Sequence, residues 1–324
     1  MSDKTKRHWC VLREALLRST SSGASSPSSS ATASSISTEF FPRYPVRRVD
    51  AALVQQPEQE SFAWMAYDLS ATAGGQEKNV FVHEKRNDVK RVSIAELLSH
   101  KVNRGVDNTG NIRTWPSEQI LLAYVLSSSI CAQAQRQNAA GEAFPITCCE
   151  LGSGMAGLAS LGLLACAPVE LQRVVVTDGN QLSVKNLQLC VQENQLQQVF
   201  PAGTHVSAEL LRWDRDASLR EDLQQQFDLV FASDCLFFEE FHEDLACTIK
   251  GLLRRGSGRC LLLQPSRNGS MERFCATAER HGFSVNRSDA YDPEIARKHE
   301  EYQRTRADYV PDVHLPVLLT LTLT

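Results

Sequence analysis

The chain has 324 residues, 42% of them apolar and 22% charged, with a formal net charge of −4 at neutral pH. This is an ordinary globular composition, long enough for one large domain and an accessory region. The mild negative charge argues against binding driven by nucleic-acid phosphates, and no apolar run reaches the roughly 18 residues of a membrane span.

The charge is uneven: residues 1–115 hold 16 Lys and Arg against 12 Asp and Glu, a net of +4, whereas residues 116–324 hold 18 against 26, a net of −8. A basic front end can steer an acidic partner, although chance surface charge gives the same numbers. The ten cysteines are scattered without a C-x-x-C pair, and no histidines have metal-ligand spacing, so no metal is expected. Reduced thiols in the cytosol, and by extension the nucleus, are the simplest account. The start carries no secretory pattern.

In chain order, His8–Arg18 fits a short amphipathic helix. Residues 19–38 hold 11 serines with a proline and a glycine, a composition that cannot bury a core and predicts a disordered linker. Abundant arginine and serine also fit a mitochondrial transit peptide, but Asp3 and Glu14 speak against it. Residues 1–39 are therefore set apart, and residues 40–114 form an accessory, substrate-docking region of short strands and turns. Within it, Ser61–Leu69 and Asn79–Lys85 alternate enough to pair, with Gly74-Gly75 between them. Val92–His100 reads as helix and Asp107–Asn111 as a turn cluster.

Residues 115–324 have a different rhythm. Pro116 opens a helix behind Trp115, with Ile120, Leu121, Tyr124 and Val125 as its apolar stripe. Predicted strands follow at Ile146–Glu150, Arg173–Thr177, His205–Glu209, Phe227–Ser233 and Arg259–Gln264. Helices fit between them at Gly157–Ala165, Leu182–Gln192, Glu239–Leu253 and Ser270–His281. Alternating strand and helix implies α/β architecture, a parallel sheet covered on both faces. Phe283–Arg287 and Leu315–Thr324 close the chain as strands, with the charged segment Pro293–Arg306 ahead of the last, which predicts a final strand inserted antiparallel.

The strongest local signal is Cys149-Glu150-Leu151-Gly152-Ser153-Gly154-Met155-Ala156-Gly157, between the first core strand and a helix. Gly152 allows the tight turn, Gly154 brings backbone close to a ligand, and Gly157 lets helix and strand approach. Dehydrogenases share this pattern, and a plain strand-to-helix turn produces it too. Asp178 ends the second strand, 26 residues after Gly152, where a carboxylate can accept both ribose hydroxyls of an adenosine cofactor. Glu150 separates the options: an acid suits the ammonium and sulfonium of S-adenosylmethionine better than a pyrophosphate, unless it is merely a strand-end surface acid. Trp213 in Leu211-Arg212-Trp213-Asp214 either flanks an adenine or anchors a loop. Asp234 falls at the carboxyl end of the fourth strand, where open parallel sheets bind ligands, or it caps the helix near Glu239.

Together these residues resemble the lysine-directed methyltransferases of the seven-strand, Rossmann-like class, within which the calmodulin-directed branch is most similar. The resemblance runs from Asp107-Asn108-Thr109-Gly110-Asn111 and Trp115-Pro116-Ser117-Glu118 through the glycine loop and Thr177-Asp178-Gly179-Asn180 to Ser233-Asp234-Cys235-Leu236-Phe237. It resumes at Ala278–Phe283, Tyr291-Asp292 and Pro316–Leu319. It implies S-adenosylmethionine as cofactor, held by Trp115, Glu150, Gly152, Ser153, Gly154, Asp178, Asn180, Trp213 and Ser233. It implies Asp234 and Phe237 at the lysine channel, and a monomer acting on a protein substrate, calmodulin in that branch. The loop reads Gly-Ser-Gly where the family pattern suggests Gly-Gly-Gly, a change that a turn accommodates.

Overall fold

The computed structural model describes residues 40–58, 61–85 and 114–323. Every element below lies within the unit Phe41–Thr324. The expectations for His8–Arg18, the serine-rich segment, Val92–His100 and the Asp107–Asn111 turn lie outside the described residues.

Strands β1 (Val46–Arg48), β2 (Phe62–Asp68) and β3 (Asn79–Lys85) form an antiparallel sheet in that order, with Trp64 opposite His83. Gly74 and Gly75, both at positive φ, shape the connection between the second and third strands.

The larger sheet and its helices begin with α1 (Pro116–Ser127) and α2 (Ile130–Ala134), then β4 (Ile146–Glu150), α3 (Leu158–Cys166), β5 (Leu171–Asp178), α4 (Gln181–Leu196) and β6 (His205–Leu210). They continue through β7 (Leu229–Ser233), α5 (His242–Leu252), β8 (Arg259–Gln264), α6 (Ser270–Arg280), β9 (Phe283–Ser288), α7 (Pro293–Thr305), α8 (Pro311–His314) and β10 (Val317–Leu323). The seven strands from β4 onward lie in the order β6-β5-β4-β7-β8-β10-β9. All run parallel except β10, which sits antiparallel between β8 and β9, as the charged segment before it predicted. The chain moves outward from β4 in one direction and restarts at β7 in the other, so the switch in strand order lies between β4 and β7. No helix among the described residues is long and apolar enough to cross a membrane.

The small sheet is tied to α4 by side chains that complete its edge. Asn194 accepts from the N–H of Phe81 (2.9 Å) and donates to its carbonyl (2.6 Å), while Asn186 donates to the carbonyl of His83 (2.7 Å). Two helix amides thereby occupy hydrogen-bonding groups that an edge strand otherwise leaves open. Glu193 accepts from the N–H groups of Gln55 and Gln56.

Element ends depart from the periodicity where side chains intervene. The strand expected from Phe227 starts at Leu229, because buried Asp228 is drawn to Thr147, Arg136 and Arg254 at the amino end of the sheet. The helix expected from Glu239 opens with a 3-10 turn, Glu239–Phe241, and becomes α-helical at His242. Of the stripe expected on α1, Ile120, Leu121 and Val125 are buried and Tyr124 is half-buried, while Leu122, Leu126, Ser117, Glu118 and Gln119 are buried as well.

Candidate active site

The glycine loop leaves the carboxyl end of β4 at the switch point, where an open parallel sheet has its ligand crevice. Gly152, Gly154 and Gly157 all sit at φ near +60°, a backbone that L side chains rarely adopt. A Cβ on Gly152 would lie 2.9 Å from the Cys235 Sγ and 3.1 Å from the Trp213 ring, so the indole rests on the loop because the side chain there is missing. At Gly157 a Cβ would meet Leu187 of α4 and Val176 of β5 at 2.8 and 3.0 Å, the close helix–strand approach expected of that residue. Ser153 ties the loop to β5, its N–H and hydroxyl both donating to the Thr177 carbonyl at 3.0 Å.

Asp178, buried at the end of β5, accepts from the N–H of Gly154 (2.9 Å) and of Asn180 (2.7 Å). Asn180 in turn caps α4 by accepting from the N–H of Leu182 at 2.8 Å. Glu150 is 1% exposed: one carboxylate oxygen accepts from the N–H of Ser160 in the first turn of α3 (2.9 Å), and the other is buried with no hydrogen-bond partner among the described residues. Burial, with Asp178 nearby, pushes its carboxyl up to about 7.

A second acid shares this helix start. Glu118, in the first turn of α1, accepts from the N–H groups of Leu158 and Ala159. Burial first, and the charge of Glu150 second, hold it well above the usual carboxylate range. Two carboxylates thus meet the positive end of one helix dipole. Sequence reasoning quoted Glu118 within a motif but gave it no role, since an acid in a helix's first turn is ordinarily solvated. Trp115 stands just ahead of it, half-buried in the extended residue before α1.

On the other side of the crevice, β7 ends at Ser233, whose carbonyl faces the Cys235 thiol at 3.3 Å. Asp234 follows at φ +57°, its N–H donating to the Leu263 carbonyl of β8 at 3.1 Å. It does not cap α5, which begins eight residues later behind Phe241. Instead an Asp234 oxygen pairs with the Arg267 guanidinium at 2.6 Å, and that guanidinium lies 5.3 Å above the centre of the Phe237 ring. Trp213 makes an edge contact with Phe241 at 6.5 Å. The structure therefore gathers two groups of the expected residues. Gly152, Ser153, Gly154, Asp178, Asn180 and Trp213 surround the loop, whereas Asp234 and Phe237 are joined through Arg267, which the sequence reading missed.

Comparison with known proteins gives the family. A family model described as lysine methyltransferase matches residues 100–281. The calmodulin-lysine N-methyltransferase of Arabidopsis thaliana is 32% identical over 300 residues, covering 92% of this chain and 89% of that protein. The chain belongs to the lysine methyltransferase family. As a methyltransferase of this family it uses S-adenosylmethionine as its cofactor. Among solved structures it is similar to a ribosomal protein L11 methylase from Lactobacillus delbrueckii subsp. bulgaricus, with a TM-score of 0.39, 13% identity, and 68% of this chain and 83% of that chain covered. A SAM-dependent methyltransferase from Aquifex aeolicus gives a TM-score of 0.37 and 11% identity, covering 55% of this chain and 82% of that chain.

The residues of the methyltransferase loop suit the cofactor on their own evidence. The buried Glu150 oxygen with no partner is a ready acceptor for an ammonium. The absent side chain at Gly152 lets Cys235 and the Trp213 ring come up against the loop.

Proposed function

We propose that this enzyme transfers a methyl group to a lysine side chain of a protein, and that its substrate is calmodulin. The observation that carries the reading is the 32% identity to a calmodulin-lysine N-methyltransferase across 92% of the chain, since a likeness that long spans more than the cofactor loop.

In this reading Glu150 receives the cofactor's ammonium, Asp178 its ribose hydroxyls, and Trp213 the adenine, with Trp115, Gly152, Ser153, Gly154, Asn180 and Ser233 completing the pocket. When bound, S-adenosylmethionine supplies a methyl activated by its sulfonium. The protein's task is to align the amine with that methyl and strip the amine of water. A lysine must be neutral to attack, yet its ordinary pKa is about 10.4. A narrow dry channel lowers that value. Asp234 then orients the amine by accepting one of its hydrogens, and Phe237 forms a wall that tolerates the methylated ammonium through its ring face. The setting proposed is the cytosol or nucleus, with the enzyme acting as a monomer.

Incubating the purified protein with methyl-labelled cofactor and a cell lysate tests the substrate. The expected labelled band is calmodulin. Label confined to a different protein would move the substrate elsewhere while keeping the chemistry.

A further inference from the structure

Asp234 and Arg267 sit where the proposed lysine channel meets the sheet, and both are held in backbone that ordinary side chains avoid. Asp234 has φ +57°, Arg267 φ +49° and Asn268 φ +56°. Such conformations persist only where surrounding contacts fix them. Here Asp312 of α8 does so, its carbonyl accepting from the N–H of Arg267 (2.8 Å) and its carboxylate from the N–H of Asn268 (2.7 Å). The guanidinium so placed reaches one oxygen of Asp234 at 2.6 Å, with the two side chains 16% and 12% exposed. The second Asp234 oxygen takes no part in this ion pair.

Of the other charges on the adjoining elements, Glu240 lies in the same turn as Glu239 and most of the rest are paired. Arg273 meets Glu239 at 2.6 Å, Arg287 meets Glu272 at 2.6 Å, and Asp312 is engaged with backbone. Among the described residues, the cation that pairs with Asp234 is Arg267.

This has a consequence for the nucleophile. An isolated carboxylate beside a lysine stabilises the ammonium and opposes methyl transfer. A carboxylate already neutralised by a guanidinium still accepts a hydrogen bond through its second oxygen but no longer favours the charged amine. We propose that Arg267 is a positioning residue that cancels the charge of Asp234, so that Asp234 orients the substrate amine without holding its proton. The inference rests on the reading of Asp234 as the group that meets the lysine.

The test is the pH dependence of single-turnover methyl transfer at saturating substrate, which reports the amine within the complex. Calmodulin is the acceptor, with cell lysate as a second. Arg267→Gln should move the rising limb up by about one pH unit, lowering the rate at neutral pH roughly tenfold. Asp234→Asn should move the limb down, because the guanidinium is then uncompensated. The double variant should lie between the two, and Arg267→Lys should leave the limb near its original place. A purely structural role would lower rates without moving any limb. Calorimetric binding of S-adenosylmethionine checks that each variant folds, and if Arg267→Gln does not, Asp234→Asn must still move the limb down while Arg267→Lys leaves it in place. A limb that stays fixed or moves down in Arg267→Gln overturns the inference. An unchanged rate and limb in Asp234→Asn shows instead that the lysine does not meet Asp234, and removes the inference with that reading. Transfer to neither acceptor by wild type removes both.

Discussion

Two acids at the start of α3 place an unusual demand on the unliganded protein. Glu118 and Glu150 are both buried, and burial raises both above their ordinary value of 4.5, Glu150 to about 7. A carboxyl raised in the folded state contributes its full stability below its unfolded pKa and loses it as pH rises through the folded one. The unliganded enzyme should therefore melt lower at pH 8 than at pH 6, and Glu150→Gln should flatten that difference. Carboxyls with partners, such as Asp222, lowered to about 2 chiefly by Arg220, titrate far below this window. Thermal scans of both proteins at the two pH values check it. An equal slope in the variant would show that Glu150 is not the source. At Asp178 the expectation concerns binding. Replacing it with alanine removes a charged acceptor worth about 1.5–3 kcal/mol, so cofactor affinity measured by calorimetry should fall by at least about tenfold. The glycines, Glu150 and Asp178 were legible because a motif fixes their spacing along the chain. Glu118 and Arg267 were not, because their partners Leu158 and Asp234 are distant in sequence and adjacent only once the sheet has formed.

At the level of elements, the strands of the large sheet could be read to within two residues at each end, since buried parallel strands are short apolar runs between helices. β4 and β8 begin and end where the apolar runs placed them, and β3 of the small sheet where alternation did. What periodicity could not show was the docking of the small sheet on α4. That depends on Asn186 and Asn194, two polar residues on a helix, whose partners are backbone groups of β3. Asn194→Ala would leave the N–H and carbonyl of Phe81 without these bonds and should cost about 2–4 kcal/mol. Denaturant unfolding measures this. A loss under about 0.5 kcal/mol, the range of ordinary surface substitutions, would mean that the asparagine bridge contributes little.

The whole molecule is electrically lopsided, with a net of +4 over residues 1–115 and −8 over the rest. For an acidic partner such as calmodulin, the catalytic part alone would repel, and the front part should steer association in a salt-dependent way. Arg47 and Arg48 lie on β1, whose residues are all exposed, and Arg48 is partly engaged with Glu58 at 3.1 Å. Replacing both arginines with glutamate should slow methylation at low salt and leave cofactor affinity unchanged. Equal rates for wild type and variant at low and high salt would remove the steering idea alone. The central claim, transfer of a methyl to a lysine of calmodulin, is tested most directly with purified components. Wild type and Asp178→Ala are each mixed with calmodulin and methyl-labelled S-adenosylmethionine, and the product is mapped by peptide mass spectrometry. The account predicts a methylated lysine with wild type and little or none with the variant. Wild type that binds the cofactor yet leaves every calmodulin lysine unmodified would contradict it.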